Sequence, residues 1–168
     1  LSPLSKEQAV GNTVDSASPL LVCFVCTGNT CRSPMAQAVL NHLGRGRGYR
    51  ACSAGLAANA GHAITPYAAE ALVNAGIPSL PDNDYQNHTA QRIDRNLMAR
   101  CDRIIGISSA HAMALLTQFP EFASKISAMP RDISDPYGCD LDTYETCLAE
   151  ITDGIRTLFL TEDNRDRS

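Results

Sequence analysis

Apolar residues fall in short runs separated by polar stretches rich in glycine and proline, and the first run is the sharpest. Leu20 to Val25 reads LLVCFV, a pattern that favours a short buried strand. A polar loop follows from Cys26 to Arg32. Ser33-Pro34 then reads as a helix start, with Ser33 as N-cap and Pro34 at the first helical position. Ala36, Val39, Leu40 and Leu43 recur at inward spacing, which predicts a helix over 34–43 ending near Gly44. Tyr49 to Ser53 reads as a second strand, with Ala54-Gly55 turning the chain. Thr65-Pro66 opens a helix running to about Asn74 and closed by Gly76. The segment 78–87 is rich in Pro, Asp and Asn and reads as loop. A short helix is predicted over 94–100, a third strand over 103–107, a helix over 109–119 and a fourth strand over 125–128. A polar loop over 130–140 leads into a closing helix from Leu141 to about Leu160.

Strands alternating with helices imply an α/β fold, a single three-layer domain with a parallel sheet and right-handed crossovers. In such sheets ligands bind beyond the carboxyl ends of the strands, where the Cys26 loop lies. The domain is expected over 20–160. Leu1 to Pro19 is polar and aperiodic and reads as an extension, disordered or lying on the surface, with no catalytic residue. Residues 161–168 read as a charged tail.

Composition narrows the picture. A chain of 168 residues fits one domain with a real core. The net charge of −4 gives no electrostatic reason to expect nucleic-acid binding. Arg45, Arg47 and Arg50 cluster after the first helix and read as a solvated loop. Seven cysteines is an odd count, at spacings that suggest no disulfide framework, so a reducing, cytoplasmic setting is expected. No apolar run approaches the roughly 20 residues of a membrane span, and no signal-peptide pattern opens the chain. No membrane partner is expected.

The chemistry concentrates in Cys26-Thr27-Gly28-Asn29-Thr30-Cys31-Arg32-Ser33-Pro34. Strand, tight loop and helix N-terminus together form an anion cradle, with backbone N–H groups converging and the helix dipole favouring negative charge. A cysteine facing that cradle is expected to be a thiolate near neutral pH. Arg32 supplies a planar fork able to hold two phosphoryl oxygens. A cysteine nucleophile in a phosphate cradle implies phosphoryl transfer through a phosphocysteine. Gly28 allows close approach of backbone to phosphate. Asn29 suits a positive-φ position, and Ser33 is placed to donate to the Cys26 sulfur. The reaction also needs an acid for the leaving atom and a base for water. Asp135 in Ser134-Asp135-Pro136-Tyr137-Gly138 is the candidate, because Pro136 stiffens its loop. Asp132, Asp140 and Asp142 are rivals that lack a following proline and read as turn residues and a helix cap.

The stretch CTGNTCRSP resembles the phosphate-binding loop of low-molecular-weight protein tyrosine phosphatases, in a form closest to the bacterial protein-arginine phosphatase branch. The resemblance spans roughly residues 20–160. It implies a four-stranded parallel sheet in order 2-1-3-4 flanked by helices, no cofactor, no metal ligand, and a monomer acting on phosphorylated proteins. It assigns catalysis to Cys26, Arg32 and Asp135, and binding of phosphate or another oxyanion and of substrate to the loop residues Thr27, Gly28, Asn29, Thr30, Cys31 and Ser33. It also implies that Tyr137 walls the cleft and that Ser53 and His88 support Asn29. Cys31 matches a second loop cysteine that can trap the oxidised nucleophile as a disulfide. Thr30 matches the arginine-type branch, whereas most tyrosine-type members carry an apolar residue there; His88 with Ala90 looks more like the tyrosine type.

Rival readings are weaker. A metal site from Cys23, Cys26 and Cys31 lacks a second Cys pair and sets Arg32 against the ion. Cys23-Phe24-Val25-Cys26 lies within a strand, not at the helix start that a redox motif needs. An arsenate reductase of this fold needs two relay cysteines between the second and third strands, where only Cys101 is near. A non-catalytic phosphoresidue-binding module has no use for the Cys26, Arg32 and Asp135 set. Cys52, Cys101, Cys139 and Cys147 read as structural or incidental.

Overall fold

The structure is a computed structural model describing residues 18–161, so expectations for 1–17 and 162–168 lie outside the described residues. Four parallel strands form one sheet in the order β2-β1-β3-β4, as expected. They are β1 (Leu20–Cys26), β2 (Tyr49–Gly55), β3 (Arg103–Gly106) and β4 (Ile126–Ala128). The helices are α1 (Arg32–Leu43), α2 (Pro66–Asn74), α3 (Arg95–Arg100), α4 (Ser109–Gln118) and α5 (Leu141–Ile155). Among them none is long and apolar enough to cross a membrane.

Strand alternation divides the core between two faces of the sheet. Val22, Phe24 and Cys26 of β1 face one way, onto α1, α2 and α5. There they join Met35, Leu40, Leu72, Ile151 and Phe159. Cys23 and Val25 face the other way, onto α3 and α4, with Met98, Ile104 and Leu115. With both faces covered, β1 is buried from Val22 to Cys26, which is why it reads as a continuous apolar run.

Several boundaries differ from the sequence expectation, each for a local reason. Helix α1 starts at Arg32, with Cys31 rather than Ser33 at the N-cap and no side-chain cap. The Ser33 hydroxyl is committed to the loop, 2.9 Å from Cys26 Sγ, so it cannot cap. Ala54-Gly55 does not turn the chain. Strand β2 stays paired with β1 through Cys26↔Gly55. Lys125 lies in a 3-10 turn over Pro120–Lys125 instead of in β4, and its ammonium bonds three carbonyls, including that of Cys101 at 2.8 Å. The closing helix is α-helical only to Ile155 and then widens into a π turn, Arg156–Leu160. That turn delivers Phe159 to Phe24 and Tyr49, at ring separations of 6.3 and 5.0 Å.

The carboxyl end of β2 lies directly beneath the loop that leaves β1. Leu56 N–H donates to Cys26 O and Ala57 N–H to Thr27 O, both at 2.9 Å. A Cβ at Gly55 would stand 2.5 Å from Thr27 O and 3.1 Å from Asn29 N. A Cβ at Gly28 would meet only Thr30 Oγ1, at 3.9 Å. Gly55→Ala should therefore lose about 1–3 kcal/mol, an overpacking cost, while Gly28→Ala should stay within about 0.5 kcal/mol of the parent. Urea unfolding midpoints at constant slope check the contrast; equal losses at the two sites would contradict the packing described.

Candidate active site

The loop 26–32 turns back on itself at Asn29, which adopts φ 59°, the single positive φ among the described non-glycine residues. Asparagine tolerates this region better than most residues. Asn29 is wholly buried, and its polar groups are all engaged. The side-chain amide donates to Ser33 Oγ at 2.8 Å and to Ser53 Oγ at 3.0 Å. Its Oδ1 accepts Gln91 N–H at 2.9 Å. Its backbone N–H points at Cys26 Sγ, 3.3 Å away. Its carbonyl accepts His88 Nε2–H at 2.8 Å. Burial lowers the His88 pKa, against the hydrogen bond to Asn29 that raises it.

Because Asn29 donates to Ser33 Oγ, the Ser33 hydroxyl proton has two acceptors within reach, Cys26 Sγ at 2.9 Å and Ala54 O at 3.5 Å, and the sulfur is the nearer. The Ser33 hydroxyl and the Asn29 backbone N–H thus converge on the Cys26 sulfur. Ser53 in turn donates to Gln37 Oε1 at 2.6 Å, and Gln91 Nε2 donates to Ser53 O at 2.9 Å.

Arg32 leaves the loop at the first turn of α1. Its guanidinium donates to Ile133 O at 2.9 Å and lies 3.7 Å from Asp135 Oδ2. The segment 130–140 is thereby drawn over the loop. Asp135 Oδ1 accepts Tyr137 N–H at 3.1 Å, a tight Asx turn that aims the carboxylate. The Tyr137 ring is 70% exposed. Together 26–32, Asp135 and Tyr137 line a cleft of about 220 Å³. The rival aspartates lie elsewhere: Asp140 caps α5 through Thr143 N–H, and Asp132 accepts Ser109 N–H at the start of α4.

Cys31 is buried behind the cleft, with Tyr144 OH at 3.5 Å and Thr65 Oγ1 at 3.6 Å. Burial, helped by the contact with Cys31, raises the Tyr144 phenol pKa. Thr30 is half-buried, its hydroxyl 3.8 Å from Cys31 Sγ. Of the site residues expected from the sequence, the loop 26–32, Asp135 and Tyr137 line the cleft, whereas Ser33, Ser53 and His88 are hydrogen-bonded to Asn29.

Three supports escaped the sequence reading. Gln91 acts partly through its backbone N–H, which no residue type signals. Tyr144 sits on α5 and carries no local motif. His111 is buried on α4, with Nε2 3.1 Å from Thr27 Oγ1 and Nδ1 2.8 Å from Ser108 Oγ. Ser108 Oγ accepts His111 N–H, so its proton goes to Nδ1 and the network assigns the Nε2–H tautomer, donating to Thr27. Burial and then the Arg32 charge lower the His111 pKa, Asp135 and Asp132 opposing. Ser108 just before a helix was a readable cap; its histidine partner was not.

The family model described as low molecular weight phosphotyrosine protein phosphatase matches residues 21–168. A protein-arginine-phosphatase of Bacillus subtilis is 30% identical over 146 residues, 82% of this chain and 93% of that protein. The low molecular weight protein-tyrosine-phosphatase Wzb of Salmonella typhi is 33% identical over 129 residues, 74% and 81% of the two chains. The solved structure of the YwlE arginine phosphatase, a cysteine-to-serine mutant with a phosphorylated active-site serine, superposes with a TM-score of 0.77 at 28% identity. That match covers 88% of this chain and 99% of YwlE. The chain belongs to the low molecular weight phosphotyrosine protein phosphatase family.

Proposed function

We propose that this phosphatase hydrolyses phosphoarginine side chains of proteins, with Cys26 as nucleophile, Arg32 as phosphoryl clamp and Asp135 as general acid and base. The observation that carries this reading is the cleft itself. A doubly hydrogen-bonded sulfur, a guanidinium and a carboxylate share it, and the Thr30 hydroxyl stands on its wall. Related proteins are named for phosphoarginine and for phosphotyrosine hydrolysis, so the choice rests on the side chains of this cleft.

The reaction has two steps. Cys26 Sγ attacks phosphorus, a sulfur–phosphorus bond forms and the bond to the guanidino nitrogen breaks. Asp135 gives its proton to that nitrogen. Arg32 and the loop N–H groups hold the three phosphoryl oxygens as charge develops. Water then attacks the phosphocysteine, giving its proton to Asp135, and Cys26 leaves as a thiolate stabilised by Ser33 and Asn29 N–H. The open space beside Gly28 lets the oxygens approach the backbone.

Thr30 and Tyr137 would set the preference. A phosphoguanidinium carries N–H donors that an aliphatic wall leaves unsatisfied. The Thr30 hydroxyl accepts one of them, the carbonyl oxygen of the Asp135 carboxyl accepts another, and the exposed Tyr137 ring stacks on the planar group. A net charge of −4 fits protein rather than nucleic-acid substrates. A reducing, cytoplasmic setting keeps Cys26 available, and Cys31 in the same loop would return an oxidised Cys26 through a disulfide.

Cys26→Ser should abolish turnover of every phosphorylated substrate; near-normal activity in that variant would end the phosphocysteine assignment. Asp135→Ala should cut kcat by roughly 10²–10⁴-fold, with smaller losses for substrates whose leaving groups need little protonation. A uniform loss across leaving groups would reassign Asp135 to a structural role.

Thr30→Ile should lower kcat/KM on phosphoarginine about tenfold or more, the equivalent of one hydrogen bond of about 1.4 kcal/mol. It should raise kcat/KM on phosphotyrosine peptides, whose ring packs on an aliphatic wall. Both constants are to be measured in parent and variant. A parent that prefers phosphotyrosine, with no reversal in the variant, would move the substrate to phosphotyrosine and leave the Cys26 chemistry intact.

A further inference from the structure

Three cysteines converge on the sheet face opposite the one that Cys26 points to. Cys23 on β1 lies directly across from Cys52 on β2 in the parallel register. Cys101 ends α3 and enters β3, where Asp102 N–H is bonded to Leu21 O. The three sulfurs all lie within 4.8 Å of one another, and Cys52 Sγ is 3.8 Å from Cys101 Sγ. Cys23 and Cys101 are buried, while Cys52 is half-exposed and gives the cluster an opening to solvent.

We propose that Cys23, Cys52 and Cys101 form a three-sulfur site for a soft monovalent metal ion, Cu(I). A metal–sulfur bond of about 2.3 Å puts the corners of a trigonal plane about 4 Å apart, close to the spacing found. Thiolates are soft ligands suited to Cu(I) and Zn(II). Zn(II) prefers a tetrahedron, and no fourth His, Cys, Asp or Glu joins the group among the described residues. Leu97, Met98 and Ile104 belong to the apolar cluster on this face of the sheet. Binding is an exchange without redox change: Cu(I) takes three thiolates, and the three thiols release three protons. The resulting net charge of −2 lies beside Arg100 and Lys125. Cys26, three residues along β1, faces the other core, so the catalytic sulfur is not a ligand.

The test titrates the full-length protein, reduced and under argon, with Cu(I) buffered by excess bicinchoninate. The expected result is one Cu(I) withdrawn per chain, with three sulfur neighbours by X-ray absorption and phosphatase turnover retained. Cys52→Ser and Cys52→Ala should keep turnover, which also verifies their fold. Both should weaken Cu(I) binding by at least about 100-fold, since loss of an outer-shell partner alone costs 10–100-fold. Cys26→Ser should bind as the parent does. The site is overturned by failure of the parent to take Cu(I), by a two-sulfur shell, by unchanged binding in the Cys52 variants, or by loss of binding in Cys26→Ser.

Discussion

The reversal of the chain at Asn29 is the constraint on which the catalytic loop depends. A left-handed non-glycine residue costs roughly 1–2 kcal/mol, and here it is also buried with a full set of polar groups. It persists because each of those groups has a partner drawn from a different part of the chain: Ser33 on α1, Ser53 on β2, and His88 and Gln91 on the segment before α3. Leaving a single one unmet would cost about 1–3 kcal/mol. The partners therefore act as a unit, and the loop has one shape only while β2 and the 88–91 segment are in place. That shape is what turns Asn29 N–H, and through Ser33 an O–H, onto the Cys26 sulfur.

A second set of contacts joins this loop to the carboxylate loop. Arg32 is held from the far side by Ile133 O and stands near Asp135. Asp132, at the root of the same segment, bonds Ser109 at the start of α4. From that helix His111 reaches back to Thr27. The path from Thr27 through His111, α4 and Asp132 to Asp135 closes a ring around the cleft. Nucleophile and acid are thus referenced to the same helix end, and Tyr137, beyond the ring, is left exposed for whatever enters.

Much of this was legible in the sequence, for a physical reason. The apolar run of β1, the CTGNTCRSP loop and the proline after Asp135 are local signals, and local signals survive without knowledge of the fold. What failed to show were claims made on a residue from afar. Ser33 next to Pro34 has the look of a helix cap, yet its hydroxyl is taken by Cys26 and Asn29. Gly55 has the look of a turn, yet it is a strand residue kept small because Thr27 O lies where its Cβ would be. His111, Gln91 and Tyr144 act at sequence distances of 62 to 113 residues from their loop partners, where no spacing rule reaches. Cys52 and Cys101 read as incidental because only the β1–β2 register and the α3–β3 junction bring them to Cys23.

The alternation of β1 then explains how one strand carries two kinds of sulfur without mixing them. Residues of a strand point to opposite faces in turn, so Cys23 and Cys26, separated by an odd number of positions, must part company across the sheet. Cys26 emerges at the carboxyl end, where the strand stops and the loop donors gather. Cys23 stays inside the ladder, between two neighbouring strands, where the partners within reach are whatever those strands present. A slip of one residue in the β1–β2 pairing would move Cys52 to the other face and lift Gly55 from beneath Thr27. The same register that seats the catalytic loop therefore assembles the sulfur cluster, and neither could be shifted without the other.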